Sequence, residues 1–233
     1  MISFKGRHFM QEIILMVVRW YVSYSLSYRD IEELMLERRI PVDHSTLNRW
    51  VIYYAPLLEE EFRKKYKRKV GGSWRMDETY IKVKGVWKYL YRAVDKEGNT
   101  IDFMLSNNRD EAAAKAFFIK AIKSSGLPEK ITIDKSGANK AGIDAINLQL
   151  IILSFLGCTL FQINIRQIKY LNNIVEQDHR GIKRITKPMM EFKAFHSAGA
   201  TLAGIELYRM LKKGQHINSK NSSAFEQFYA LAA

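Results

Sequence analysis

The sequence predicts an α/β protein, a mixed sheet-and-helix core preceded by a small all-helical region. Three observations carry this. Apolar residues recur at helical spacing through the first 58 positions, the pattern switches at Trp74 to short runs rich in β-branched and aromatic residues, and thereafter strand-like and helix-like segments alternate. At 233 residues, 47% of them apolar, the chain can bury a real core and accommodate one ordinary domain with a smaller companion.

In the N-terminal region Ile13, Ile14, Val17, Val18 and Tyr21 share a helical face. Ser27-Tyr-Arg-Asp30 reads as a helix start with Ser27 as cap, and Ile31, Leu34 and Met35 form its stripe. Pro41 ends that helix. A further start at Asp43 brings Leu47, Trp50, Val51 and Tyr54 onto one face. Two short helices joined by a tight turn, after a preceding helix, make a helix-turn-helix pattern. Its second helix, about 45–54, is the candidate for the major groove, with Asn48 and Arg49 as candidate DNA contacts and Trp50 assigned to the core. A basic run from Arg63 to Lys69, followed by Gly71-Gly72, reads as a linker. The expected domains are a head at 1–62, a linker at 63–72, a core at 73–200 and a C-terminal helix and tail at 201–233.

Within the core, Ile81–Val83, Val86–Val94 and Ile101–Leu105 suggest an antiparallel meander, with Gly98-Asn99 supplying a turn. Asp110–Lys123 is Ala-rich and amphipathic, hence helix. Lys130–Asp134 is a short buried strand, Asn139–Phe155 helix, Thr159–Ile165 strand and Asn172–Ile185 helix. Three strands, helix, strand, helix, strand, helix is the order of a ribonuclease-H-like core. The apolar stretch from Leu148 to Phe161 is too short to span a bilayer and reads as core. Thr201–Leu211 forms an amphipathic helix that is a candidate dimer interface or packs onto the core, and the polar segment after Gly214 reads as a frayed tail.

The formal charge of +13 favours a polyanionic partner, nucleic acid or an anionic membrane surface, over a merely basic soluble protein. With no spanning segment or signal-peptide pattern, the membrane reading recedes. The single cysteine, Cys158, excludes an internal disulfide, and no Cys/His cluster has zinc spacing, so a reducing cytoplasm is the expected setting.

Acids placed on buried strands are the clearest chemical signal, because an unpaired buried charge is costly. Asp77 lies in Trp74-Arg-Met-Asp-Glu-Thr-Tyr at the first core strand, Asp134 ends Ile131-Thr-Ile-Asp, and Glu176 sits on the helix Asn172-Asn-Ile-Val-Glu-Gln-Asp-His-Arg. Converging carboxylates repel unless hard cations hold them, and two Mg²⁺ (or Mn²⁺) ions about 4 Å apart suit such a pocket. Taken singly, Asp77 reads equally as a surface acid, Asp134 as a helix cap and Glu176 as an exposed helix acid, with Glu78 and Asp178 as rivals on spacing. Around Glu176, six basic residues (Arg166, Lys169, Arg180, Lys183, Arg184, Lys187) stand against two acids between 166 and 187, a cationic rim suited to phosphates. Lys169, Arg180, Lys183 and Arg184 are the DNA-contact candidates here, and an ordinary salt-bridged helix is the alternative.

These residues resemble the DDE transposases of bacterial insertion sequences, specifically the insertion-sequence-six family. The resemblance is carried by Val18-Arg-Trp-Tyr and Leu26-Ser-Tyr-Arg-Asp, by Trp74-Arg-Met-Asp-Glu-Thr-Tyr-Ile-Lys-Val-Lys-Gly, by Ile133-Asp-Lys, and above all by Arg166-Gln-Ile-Lys-Tyr-Leu-Asn-Asn-Ile-Val-Glu-Gln-Asp-His-Arg with Lys183-Arg; Gly204-Ile-Glu and Lys213-Gly-Gln extend it to the tail. It implies Asp77, Asp134 and Glu176 as catalytic triad and metal ligands, Lys183 as the family's basic residue, and two divalent ions. The implied reaction nicks the 3′ ends of the element at its terminal inverted repeats and joins them to double-stranded target DNA. No covalent protein-DNA intermediate is implied, and a homodimer is the simplest way to hold two ends. The 41 residues between Asp134 and Glu176 exceed what similar members usually have, so a catalytically inactive relic is one alternative. A helix-turn-helix regulator and a ribonuclease-H-like nuclease without strand transfer are the others.

Overall fold

The computed structural model describes residues 2–6, 8–156 and 161–232, so Cys158 lies outside the described residues. Two compact units emerge, one of residues 1–68, 83–85 and 181–233, the other of residues 69–82 and 86–180.

The first unit is helical. Helix α1 spans Gln11–Ser23, α2 Tyr28–Glu37 and α3 His44–Glu61. The α2 start is a full capping box: Ser27 Oγ accepts from the Asp30 amide, and the Asp30 carboxylate accepts from the Ser27 amide. Asp43 caps α3 by accepting from the Ser45 amide. Trp50 is buried as expected, with Leu47, Val51 and Tyr54. The turn between α2 and α3 needs a left-handed residue, Arg39 (φ 58°). Helix α3 runs through Pro56 and continues as a π-helical turn, Phe62–Tyr66, so part of the expected linker is helix.

Three readings of the C-terminal third meet the structure here. Helix α7 (Phe195–Lys212) is buried over nearly all of its circumference and packs on α1 and α3, so of the two alternatives the sequence left for it, packing onto a core is the one observed. Residues 181–200, expected in the sheet domain, group with the helices; Ser25 Oγ donates to the Arg184 carbonyl at 2.9 Å. The supposed frayed tail contains α8 (Ala224–Ala230), which is capped by a Ser223–Glu226 box and anchored by the fully buried Phe228. Polar composition concealed it because one buried aromatic, stacked edge-on to Tyr208 at 5.9 Å, suffices to dock so short a helix.

The second unit contains β1 (Ser73–Val83), β2 (Val86–Asp95), β3 (Thr100–Ser106), α4 (Glu111–Ser125), β4 (Lys130–Thr132), α5 (Gly137–Phe155), β5 (Asn164–Arg166) and the start of α6 (Asn173–Thr186). Lys84-Gly85, both at positive φ (48° and 75°), make the two-residue turn from β1 to β2. The sheet order is β3-β2-β1-β4-β5, with β2 and β3 antiparallel and β4 parallel to both β1 and β5. That order and its helical crossovers define a ribonuclease-H-like core. Trp74, Met76, Tyr91, Ile131 and Ile133 meet Ala114, Phe117 and Phe118 of α4 and Ile143 and Ile146 of α5. At Gly142 a Cβ would sit 3.1 Å from that of Ala114, which measures how closely α4 and α5 approach. Buried Asn147 pins the chain entering β5, donating to the Ile163 carbonyl at 3.0 Å and accepting its amide at 2.8 Å.

The apolar stretch after Leu148 is only partly core. Leu148, Ile152, Leu153, Phe155 and, just past the helix end, Leu156 are exposed, while the buried face of α5 packs on α4 and the sheet core through Ile143 and Ile146. No helix among the described residues is long and apolar enough to cross a membrane.

Gly204 on α7 offers a test of this packing. A Cβ there would lie 2.6 Å from Val22 Cγ1 and 2.9 Å from Ala55 Cβ. In a free helix Gly→Ala stabilises by up to about 1 kcal/mol. Here overpacking reverses the sign, and Gly204→Ala is expected to destabilise by about 1–2 kcal/mol in urea denaturation.

Candidate metal centre

The β1–β4 register builds the centre. Arg75 is paired with Thr132, the last residue of β4, and two residues further on Asp77, still in β1, and Asp134, just past the end of β4, come close together. Their carboxylates and that of Glu78 bring oxygens within 4.8 Å of one another. Asp134 is held by its own turn: Oδ1 accepts the Ser136 amide at 3.1 Å and Asn139 Nδ2 at 3.4 Å, while Gln167 Nε2 lies 3.5 Å from its carbonyl. Arg109, just before α4, reaches into the cluster and lies 3.3 Å from Glu78 and 3.5 Å from Asp134.

Asn172, buried, donates to the Met76 carbonyl at 3.2 Å and so ties the chain entering α6 to the residue before Asp77. One turn on, Glu176 is exposed in the first turn of α6. It lies outside the tight three-carboxylate cluster, yet its charge acts on Asp77. His179, buried, places Nδ1 3.7 Å from Asp77 Oδ2. Asp178, a rival on spacing, instead pairs with fully buried Arg92 at 2.6 Å, which accounts for its acid by structure.

The electrostatics are those of crowded, partly buried carboxylates. Burial, then the neighbouring charge of Glu78, with Asp134 and Glu176 adding, push Asp77 up to about 7 against a backbone hydrogen bond that lowers it. Burial likewise raises Glu78, partly opposed by Arg109 and Asn139. Partial burial disfavours the Arg109 cation, but Glu78, Tyr80 and Asp134 outweigh it and hold its pKa above the ordinary value. Hard oxygen donors at this separation, partly buried and crowded by like charge, fit divalent cations.

Of the other site residues named from sequence, Asn48 is half-buried and Arg49 exposed on α3, where Arg49 Nη2 donates to Thr46 Oγ1 at 2.8 Å. Arg180, Lys183 and Arg184 are exposed on α6; the side chain of Lys169 lies outside the described ones. Arg109, Asn139 and Asn172 were not singled out by sequence reasoning. Asn172 stood inside the longest motif without a role, and nothing in spacing marks Arg109, which arrives through the fold. Glu78, a rival on spacing, is the third member of the tight carboxylate cluster, and Glu176 is not part of it.

A carboxylate cluster on adjacent parallel strands of a ribonuclease-H-like sheet, approached by an acid-bearing helix, defines the class of DDE-type, divalent-metal-dependent DNA-processing enzymes. Residues 71–215 match a family model described as a DDE domain, of IS240-type transposases. The chain is 42% identical over 214 residues to the transposase for insertion sequence-like element IS431mec of Staphylococcus aureus, and 41% identical to that for insertion sequence element IS257 in transposon Tn4003 of the same species. Each match covers 91% of this chain and 90% of the relative. Among solved structures, the HTLV-2 integrase catalytic core domain in complex with magnesium superposes with a TM-score of 0.45 at 17% identity, over 70% of this chain and 99% of that one. The catalytic core domain of BIV integrase does so at 0.41 and 16%, over 69% and 95%. The chain belongs to the DDE transposases of the insertion-sequence-six family.

The raised Asp77 has a sign that can be measured. Between the ordinary value of 3.8 and about 7, the folded protein keeps a proton that the unfolded chain has lost, so metal-free stability falls as pH rises through this window. Adding Mg²⁺ should therefore raise Tm more at about pH 8 than at about pH 5, by the order of several degrees. Asp77→Asn should flatten the metal-free pH profile and remove most of the Mg²⁺ response in a thermal-shift titration.

Proposed function

We propose that the chain binds the terminal inverted repeats of its insertion sequence, nicks the 3′ ends and joins the freed hydroxyls to double-stranded target DNA. Asp77, Asp134 and Glu176 hold two divalent ions, Mg²⁺ or Mn²⁺. The observation that carries this reading is the meeting of Asp77 on β1 with Asp134 just past the end of the paired strand β4, in a field to which Glu176 contributes. When bound, the ions lower the pKa of the attacking water or hydroxyl and stabilise the leaving oxygen.

The protein's own groups position and neutralise. Asn172 and the Asp134 turn fix the ligands before substrate arrives, so little reorganisation is needed at the reaction. Arg109 keeps Glu78 charge-compensated, leaving it a supporting rather than a ligating role. Lys169, Arg180, Lys183 and Arg184 bind the phosphate backbone. In the head, α3 enters the major groove with Asn48 and Arg49. Two ends are handled by a homodimer, in the bacterial cytoplasm at the nucleoid.

Asp77→Asn and Glu176→Gln are each expected to lower strand cleavage by about 10³-fold or more while end binding survives, as read by a Mg²⁺-dependent nicking assay beside a gel shift. Glu78→Gln should retain far more activity than Glu176→Gln; the reverse order would transfer the third ligand to Glu78. Joined products, and not cuts alone, separate a transposase from a simple nuclease. Arg49→Ala should weaken and broaden terminal-repeat binding in the same gel shift without abolishing Mg²⁺-dependent nicking of bound ends.

A further inference from the structure

The β1–β2 hairpin carries a row of aromatic side chains that the fold does not cover. Along β1, alternation puts Glu78, Tyr80 and Lys82 on one face of the sheet; along β2, Trp87, Tyr89 and Tyr91 share a face. These are the same face, since the Tyr80 ring lies 6.2 Å from Trp87, edge-on, and 5.5 Å from Tyr89. At its inner end the row is core: Tyr91 packs on Phe117 at 5.8 Å, and Tyr89 is half-buried against the same cluster. At its outer end it is solvent-facing, with Tyr80 48% and Trp87 57% exposed. Large aromatics held on a rigid two-residue hairpin yet left in water are not explained by packing.

The row is continuous with the carboxylate centre. Glu78, two residues before Tyr80, belongs to the cluster, and Arg109, which contacts Glu78 and Asp134, is near enough to Tyr80 to interact electrostatically with it. Arg109 at one end and Lys82 alongside Tyr80 give the flat rings cationic flanks, in a chain of net charge +13. Flat apolar faces bordered by fixed positive charges complement an anionic polymer whose own rings are exposed. In a duplex the faces of paired bases are hidden in the stack, so the complementary ligand is unpaired DNA.

We propose that Tyr80, Trp87 and Tyr89 form a stacking shelf that binds unpaired nucleotides of the DNA end and holds the strand open beside the scissile phosphate. This rests on the reading of the chain as a DNA-cutting transposase and specifies the form of DNA it handles. The shelf predicts that the enzyme prefers ends whose terminal pairs are mismatched or frayed, because part of the unpairing has then already been done.

The test uses the full chain and two fluorescein-labelled probes, an oligothymidylate of about 12 nucleotides and a terminal-repeat duplex. Tyr80→Ala and Trp87→Ala should each weaken oligothymidylate binding about tenfold in fluorescence anisotropy while duplex affinity stays within about twofold. Tyr80→Phe and Trp87→Phe, which keep a ring to stack, should restore most of the loss. Equal loss on both probes, or no loss on oligothymidylate, overturns the shelf. So does a shift from dimer to monomer in Trp87→Ala with unchanged oligothymidylate affinity, which would make the row a contact between copies. The two readings fail separately: Asp77→Asn should still bind oligothymidylate like wild type, and cleavage by that variant would defeat the metal centre without touching the shelf.

Discussion

Parallel pairing between β1 and β4 is the constraint from which the site follows. Backbone hydrogen bonds along this ladder align Arg75 with Thr132 and thereby bring Asp77 and Asp134 abreast, two like charges that would separate if they were free to do so. The sheet can impose this because the strands are anchored elsewhere, by Trp74, Met76, Ile131 and Ile133 in a core closed by α4 and α5. Repulsion is thus stored in the site and offset by burial of the surrounding apolar surface. Burial first, then the neighbouring charges of Glu78 and Asp134, raise Asp77, and a hard cation is the partner that relieves the crowding.

Around this pair the protein uses neutral amides and one guanidinium where carboxylates alone would be unstable. Asn139 and Asn172 are buried and orient backbone or carboxylate without adding charge, and Arg109 offsets Glu78. A buried ion pair of the same logic, Arg92 with Asp178, lies on α6 two residues after Glu176. It ties that helix to β2, so the acid expected to close the metal site and the acid that holds the helix in place are neighbours with different work. The aromatic row on the same sheet suggests that the surface beside the metals is shaped for the bases as well as for the phosphates.

The helical unit shows how one helix can take two parts of the chain into a single core. Helix α7 supplies small residues where α1 and α3 approach most closely, and Gly204 leaves space that no side chain could fill without displacing Val22 or Ala55. The buried face of α3 includes Trp50, while Arg49 beside it stays exposed, the division of labour a groove-reading helix needs.

The sequence by itself determined the local structure: the Ser27 and Asp43 caps, the helical stripes, the change of period at Trp74, and the acids on strand and helix. Each of these depends on neighbours a few residues apart, where periodicity and capping leave a direct trace. It also carried the family likeness through the long motif around Glu176. Only the tertiary structure decided that Asp178 belongs to Arg92, that Arg109 and Glu78 enter the site, that α7 is wrapped by α1 and α3, and that α5 leaves an apolar face in water. Those outcomes turn on contacts between segments tens of residues apart, whose pairing is set by strand register and close helix packing and leaves no period in the chain.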